Sequence, residues 1–209
     1  MKFVIKIGIF VLALLIMVVP VVACGEPTSP SGRKIILDDA SVVLDMSLEL
    51  PESFERLDAV SEGLSNKDLG LGSDFSEVEL FLSEEPYQAV FAYLTIMESQ
   101  IERASTDTLI RDEEQIKAMV LENLRAGAAE EGSELSDVDV EVTYPSIGNL
   151  AALGSGTIGA YGVSMGYDIL IFKSNKVYVS VFSMYLPGES VSLVPLTKGI
   201  ERRIGMLSQ

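Results

Sequence analysis

The stretch TIGAYGVSMGYDILIFKSNKVYVSVFSMY, which runs from Thr157 to Tyr185, decides the fold class. Apolar and β-branched residues dominate it, and Gly166 and Ser174–Asn175 are the breaks between its apolar runs. Such runs predict strands. The short breaks favour an antiparallel meander, because a parallel pair needs a crossover of a dozen or more residues. The three predicted strands are Thr157–Met165, Tyr167–Lys173 and Val177–Tyr185.

Further strands are predicted upstream of this stretch. They are Ser41–Leu50, Phe54–Leu57, Val78–Leu82, Ala89–Thr95 and Asp137–Val142. Phe54–Leu57 is expected to pair with Ser41–Leu50. Ser41–Leu50 has period-two alternation, which predicts that Leu44, Met46, Leu48 and Leu50 share a buried face. Ala89–Thr95 is near-continuously apolar, which is typical of a central strand that is covered on both faces.

Two stretches have helical periodicity. Between Asp112 and Ala126 one face is mostly apolar, and its residues are Ile116, Met119, Val120, Asn123 and Leu124. Near the C-terminus the apolar residues at helical spacing are Leu193, Leu196, Ile200, Ile204 and Leu207. Ser192 is the predicted N-cap of that helix, and Pro195 is tolerable in its first turn. The order of elements predicts one α+β domain over residues 34–209, with helices packed on an antiparallel sheet.

The N-terminus has the pattern of an export signal. Lys2 and Lys6 precede an apolar run from Ile7 to Val19, and Val21-Val22-Ala23-Cys24 follows after Pro20. This tetrapeptide resembles the lipobox of bacterial lipoproteins. The resemblance implies that residues 1–23 are a signal peptide, that cleavage occurs before Cys24, and that diacylglycerol is attached to the Cys24 thiol. We therefore expect a lipid-anchored protein on the outer side of the cell membrane, joined to its anchor by a flexible tether over residues 24–33.

Two alternatives stay open for this segment. Val4–Ala23 is about twenty residues long, which is enough for an uncleaved transmembrane helix. An ordinary secretory signal followed by a coincidental Cys is the other possibility. In each case the lysines keep the N-terminus inside, so the domain is expected outside the cytoplasm.

The charge balance restricts the partners of the domain. The chain has 15 basic and 31 acidic residues, and Lys2 and Lys6 lie in the signal segment. Removal of that segment leaves 13 basic against 31 acidic residues, a net charge of −18. Such a surface repels phosphate backbones and anionic headgroups. We therefore expect no nucleic-acid binding, and we expect membrane attachment only through the Cys24 anchor.

The residue types that are absent argue against most catalytic mechanisms. The sequence contains no His, which is the usual general base and the commonest transition-metal ligand. Its only Cys is Cys24, so neither a disulfide within the chain nor a thiolate zinc site is possible. Chemistry based on carboxylates or Lys alone stays open. We predict a non-enzymatic protein with no cofactor and no metal.

Three motifs have both a functional and a structural interpretation. Gly154–Gly159 has the glycine spacing of a dinucleotide-binding loop, but a strand rather than a helix is predicted after it, so we interpret it as a hairpin loop. Asp137, Asp139 and Glu141 would splay along one strand face, whereas calcium needs converging oxygens. We interpret them, and the acidic loop over 130–134, as solvated surface. Phe81, Phe91 and Tyr93 are expected in the core.

Four features of the sequence look like the PsbP-like α/β/α sandwich. They are Leu50-Pro-Glu-Ser-Phe54, the turn Pro145-Ser-Ile-Gly148, the run of strands from Thr157, and a closing helix with Ile200-Glu-Arg-Arg-Ile204. The likeness covers about residues 48–208, and Phe54 stands where the family frequently has Trp. The resemblance implies a non-catalytic assembly factor or extracytoplasmic lipoprotein, and it supplies no catalytic residue.

Two functions remain after these exclusions. The first is a binding or assembly module for a protein partner, tethered outside the membrane. The alternative is a carrier or sensor of a lipid or another hydrophobic molecule. The carrier hypothesis requires an apolar cavity among residues such as Val90, Leu94, Ile116, Val120 and Ile200.

Overall fold

The computed structural model describes residues 40–57, 76–85, 87–97, 99–130, 135–136, 138–160, 163–186, 188 and 190–207. The predicted signal segment, Cys24 and the tether lie outside these residues. So do Asp137 and residues 131–134 of the predicted acidic loop.

The described chain forms four helices and seven strands. The helices are α1 (Ala40–Leu44), α2 (Gln100–Arg111), α3 (Glu113–Glu130) and α4 (Leu193–Leu207). The strands are β1 (Glu55–Arg56), β2 (Ser76–Glu84), β3 (Tyr87–Ile96), β4 (Glu141–Thr143), β5 (Leu150–Ala160), β6 (Val163–Ser174) and β7 (Val177–Tyr185).

All seven strands belong to one antiparallel sheet with the order β1-β2-β3-β7-β6-β5-β4. The predicted meander is confirmed as β5-β6-β7, and β7 has the predicted bounds. The break predicted at Gly166 is wrong, because Gly166 lies inside β6 and pairs with Thr157 and Tyr185. The connection between β5 and β6 falls instead at residues 161–162.

Helices cover both faces of the sheet. Residues of α2 and α3 form one buried apolar cluster with one face, which we call the α2–α3 face. Residues of α1 and α4 form a second cluster with the other, the α1–α4 face. Consecutive residues of a strand point to opposite faces, so Val90 belongs to one cluster and Phe91 to the other. This arrangement confirms the predicted α+β class.

The two predicted helices are both present. In α3 the residues of the predicted stripe are all buried: Ile116, Met119, Val120, Asn123 and Leu124. This helix continues to Glu130, beyond its predicted end. α4 begins directly after Ser192 and contains Pro195 in its first turn, as expected.

Helix α2 was not predicted. It begins after Ser99, whose hydroxyl accepts a hydrogen bond from the Glu102 amide at 3.4 Å. Only Thr106 and Ile110 of its twelve residues are buried, and Ile101 is exposed. The sequence therefore has few apolar residues to mark the buried face of this helix.

The strand predicted over Ser41–Leu50 is wrong. Its first part is α1, and the rest is a turn in which Asp45 Oδ1 accepts a hydrogen bond from the Ser47 amide at 2.9 Å. The amides of Glu49 and Leu50 both donate to the carbonyl of Met46. Leu48 consequently points into solvent.

Two further predicted strands are shorter than expected. Phe54–Leu57 contributes only β1, which pairs with Phe81 and Leu82 of β2 and not with residues 41–50. Of Asp137–Val142, only Glu141 and Val142 enter β4. Its alternation is nevertheless confirmed among the described residues: Val138, Val140 and Val142 are partly buried, and Asp139 and Glu141 are exposed.

Candidate functional site

One end of the α1–α4 face of the sheet is polar. The strand register sets Glu141, Ser155, Asp168 and Ser183 side by side in one row across β4, β5, β6 and β7. The next row toward that end contains Thr157, Gly166, Tyr185, Gln88 and Ser83. We call the solvent-accessible members of these rows the polar shelf: Glu141, Ser155, Thr157, Asp168 and Tyr185.

The helices of this face lie over its apolar rows. The row adjacent to Asp168 contains Leu153, Leu170, Val181 and Ala92, which pack in the cluster with α1 and α4. Burial of these side chains by the helices is favourable at about 25 cal/mol per Å² of apolar surface. The polar rows offer no such gain. The shelf is therefore left partly open to solvent while the rest of the face is covered.

Asp168 is the central acidic group of the shelf. Its carboxyl group is half-buried, and hydroxyls of Ser155 on β5 and Tyr185 on β7 are hydrogen-bonded to it. Burial raises the pKa of Asp168 above its usual value, and the two hydrogen bonds oppose that shift only in part. The carboxyl group is consequently held in one position and is incompletely solvated.

Tyr185 reaches Asp168 because Gly166 lies beside it. A Cβ atom at position 166 would overlap the Tyr185 ring, so the ring lies over the glycine backbone of the neighbouring strand. Tyr185 is also hydrogen-bonded to Ser190, in the loop before α4. Burial, and then the charge of Asp168, raises the pKa of the Tyr185 hydroxyl. This hydroxyl stays protonated at neutral pH, and it donates its hydrogen to the Asp168 carboxylate.

A buried amide fixes the loop that borders the shelf. Gln88 Nε2 donates to Ser183 Oγ at 2.6 Å, and Gln88 Oε1 accepts from the Val191 amide at 3.0 Å. Both side chains are completely buried. The hydroxyl of Ser83, opposite Gln88 on β2, is buried and has no hydrogen-bond partner among the described residues. The hydrogen bonds of Gln88 therefore attach the segment before α4 to β3 and β7.

The two carboxylates of the shelf stand on strands that are not adjacent. Glu141 and Asp168 lie on either side of Ser155, so their strands are roughly 9–10 Å apart at two inter-strand spacings. Calcium requires about six to eight oxygens that converge at about 2.3–2.6 Å. Within the described residues no group of three potential metal ligands occurs. The separated carboxylates and hydroxyls instead present negative charge and hydrogen-bonding groups across two rows of the sheet.

The glycine motif has a structural role. Gly154–Gly159 lies within β5, so the hairpin-loop interpretation is wrong, and β6 follows it. Gly154 faces Val120 of α3, and a Cβ atom at Gly156 would overlap the Asp139 carbonyl. The glycines therefore allow the close approach of α3 and of the chain before β4 to the strand.

The acidic residues of the β4 segment occupy different settings. Asp139 and Glu141 are exposed, as the solvated-surface interpretation expected. The register, however, includes Glu141 in the polar shelf. Glu130 is the last residue of α3 rather than part of a loop.

The residues that the carrier hypothesis grouped around one cavity are divided by the sheet. Ile116 and Val120 belong to the α2–α3 cluster, whereas Val90, Leu94 and Ile200 belong to the α1–α4 cluster. They do not line a common space. Phe81 and Phe91 are core residues, as expected, and Tyr93 packs against the α2–α3 cluster.

Asp168 and Tyr185 were missed by the sequence analysis. The available signal was a carboxylate inside the apolar run Tyr167–Phe172, because charged residues are rarely found at such positions without a partner. Ser155 and Tyr185 become recognisable as its partners only from the strand register.

Two other charged networks join helices to the rest of the fold. Asp107 of α2 binds Lys173 Nζ at 2.5 Å and accepts a hydrogen bond from the Tyr178 hydroxyl at 2.8 Å. On the opposite face, Arg203 Nη1 of α4 binds Glu49 Oε1 at 2.7 Å. Each network connects a helix to a neighbouring segment, so we interpret both networks as structural contacts rather than as binding sites.

No helix in the described part of the chain is long and apolar enough to cross a membrane. Neither a protein-family model nor a curated protein matches this sequence.

Proposed function

We propose that this protein is a non-catalytic lipoprotein, anchored through Cys24 on the outer side of the cell membrane, whose domain binds a protein partner at the polar shelf. The partner would contribute Lys or Arg side chains and other hydrogen-bond donors. The observation that carries this proposal is the half-buried Asp168 carboxyl group, which Ser155 and Tyr185 hold at an open end of the sheet.

The arrangement of the shelf supports binding over turnover. Pre-organised groups lose little conformational freedom when a partner docks, which favours affinity. The Tyr185 ring is placed by Gly166, and the loop beside it is fixed by Gln88. The chain has no His to act as a general base with these groups.

The finer fold assignment is also a proposal: a PsbP-like α/β/α sandwich. It is supported by the way in which the quoted sequence features meet around α4. Leu50 and Phe54 pack in the α1–α4 cluster. The Gly148 amide donates to Glu201 Oε1 at 2.8 Å, and Arg203 binds Glu49.

The anchor is tested by mass spectrometry of the N-terminal peptide from full-length protein produced in a bacterial host. We expect diacylglyceryl-cysteine at position 24, and we expect Cys24→Ser to retain residues 1–23. A wild-type chain that starts at Met1, or that is cleaved elsewhere without lipid, would contradict the proposal.

The binding surface is tested by photocrosslinking in cells, with the crosslinker placed at exposed Thr157. We expect a discrete crosslinked partner that is lost with Glu141→Lys and weakened with Asp168→Asn. Glu122→Lys is the matched control, because Glu122 is an exposed acid on α3, across the sheet from the shelf. Equal crosslinking in all three variants would reject the shelf as the binding surface. Substrate turnover abolished by Asp168→Asn would reject a non-catalytic role.

A further inference from the structure

An apolar patch surrounds the contact between α4 and the chain that follows α1. The patch consists of Val42, Leu48 and Met206, which are 58 %, 83 % and 70 % exposed. They are three of the five large apolar residues that are most exposed in the described chain. Single exposed apolar residues are common, but a group of them marks an interaction site.

Contacts of Arg203 join the flank of α4 that carries Met206 to the residues next to Val42 and Leu48. Arg203 Nε donates to the Val43 carbonyl at 2.9 Å, next to Val42, and its Nη1 binds Glu49, next to Leu48. Gly199, Arg203 and Met206 share one flank of α4 at i, i+4 and i+7 spacing. The Glu49 side chain fills the space above Gly199, where a Cβ atom would overlap it. The segment that carries Leu48 therefore lies along the flank that carries Met206.

The outer side of α4 next to this patch is basic. Lys198 and Arg202 are exposed there, and the nearby Glu201 is engaged by the Gly148 amide. A patch of apolar residues with adjacent cations is typical of surfaces that lie in the lipid interface. It contrasts with the net charge of −16 of the whole chain.

The predicted anchor lies close to this patch along the chain. Ala40, the first residue of α1, lies sixteen positions after Cys24, and the ten residues 24–33 are the predicted tether. A flexible tether of about ten residues has a mean span of about 17 Å. A domain of this size has a radius of gyration of about 16 Å, so its diameter exceeds that span. The end of the domain at which the chain enters would therefore face the lipid.

We propose that Val42, Leu48 and Met206, with Lys198 and Arg202, form the surface that contacts the membrane. This inference rests on the proposed Cys24 anchor. α4 begins beside Gln88 at the polar end of the sheet, and its later residue Glu201 contacts Gly148 near the opposite end. Contact through the patch would consequently direct the polar shelf away from the membrane, toward a partner.

The orientation is tested with fluorescent probes on the full-length protein in vesicles of phosphatidylethanolamine and phosphatidylglycerol. Cys24 is the only Cys of the chain, and lipidation blocks it, so an introduced Cys is the only free thiol. The test variants are Leu48→Cys and Met206→Cys, and the controls are Thr157→Cys on the shelf and Glu122→Cys on α3. We expect a blue shift and loss of emission with nitroxide-labelled lipid for the first pair only.

Each other outcome overturns a distinct claim. Equal quenching at all four positions, with lipid present on Cys24 by mass spectrometry, would reject the orientation but not the anchor. If the emission of the probe on Leu48→Cys is quenched by a second labelled copy of the protein and not by labelled lipid, the patch is a dimer interface and the membrane contact is rejected. Absence of lipid on Cys24 would reject the proposed anchor and this inference with it.

Discussion

Asp168 and Asp107 carry the same carboxyl group, yet the folded protein shifts its pKa in opposite directions. Burial raises the pKa of Asp168, and its hydrogen bonds compensate only in part. Burial also disfavours the charge of Asp107, but hydrogen bonds from Lys173 and Tyr178 outweigh it and lower the pKa. The ionised Asp168 carboxylate therefore destabilises the folded protein at neutral pH, whereas the ionised Asp107 carboxylate stabilises it.

These directions predict different pH dependences for two variants. The contribution of Asp168 is favourable at pH values below the unfolded pKa and is lost as the pH rises through the folded pKa. Asp168→Asn should thus be at least as stable as wild type at neutral pH.

The stabilising contribution of Asp107 is present at pH values above its pKa in the unfolded chain, and it is lost as the pH falls through its pKa in the folded protein. Asp107→Asn should lose about 1–3 kcal/mol at neutral pH, and the loss should vanish in acid. Urea unfolding at several pH values measures both, and parallel curves for the two variants would contradict the assignment.

Gly166 provides a second prediction for a single residue. Gly→Ala in a strand ordinarily stabilises by about 0.5–1 kcal/mol. Here the added methyl group would overlap the Tyr185 ring, so Gly166→Ala should destabilise by about 1–3 kcal/mol. In a Tyr185→Ala background the penalty should disappear, because the ring is gone. An equal penalty in both backgrounds, measured by urea unfolding, would show that the overlap is relieved in another way.

At the scale of elements, the sequence predicted those helices and strands that bury a regular apolar face. α3 and α4 pack one stripe each against the sheet, and their periodicity was visible. α2 buries two of its twelve residues and was missed. The alternation in 41–50 was misleading, because a short helix and a turn bury Leu44, Met46 and Leu50 without forming a strand.

The candidate site depended on a register that the local sequence did not contain. A turn at Gly166 would have set Asp168 opposite Ser164. The actual connection at 161–162 sets it opposite Ser155. A glycine at position 166 is typical of a turn between strands, but here the lack of a side chain makes room for the Tyr185 ring on the neighbouring strand. Contacts between strands that are distant along the chain were therefore the part that sequence reasoning could not provide.

The packing of α3 predicts the result of a charge in its stripe. Val120 is fully buried and faces Gly154 of β5. An unpaired carboxylate at this position costs several kcal/mol, a large part of a typical stability of about 5–15 kcal/mol. Val120→Asp should abolish the folded far-ultraviolet circular dichroism signal or lower the melting temperature strongly. Ala118→Asp, on the exposed side of the same helix, should cost less than about 1 kcal/mol. Similar melting of the two variants would contradict the assigned face.

At the scale of the whole molecule, one sheet joins two cores. β3, β6 and β7 supply alternate residues to the α2–α3 cluster and to the α1–α4 cluster, so neither cluster is complete without the same strands. Because the sheet is shared, loss of one helix layer exposes the opposite side of strands that the other layer needs. We therefore expect the predicted domain to unfold as one cooperative unit.

Hydrogen exchange measured by mass spectrometry tests this coupling with a cavity on one face. Ile200 of α4 is fully buried in the α1–α4 cluster. Ile200→Ala should destabilise the protein by about 2–5 kcal/mol. If the sheet couples the layers, the free energy of opening of the slowest-exchanging amides should fall by the same amount in α3, on the opposite face, as in α4. Lys198→Ala, at an exposed position of the same helix, should leave both unchanged. Faster exchange in α4 with unchanged exchange in α3 would show that the two faces unfold separately, and the single cooperative domain would have to be abandoned.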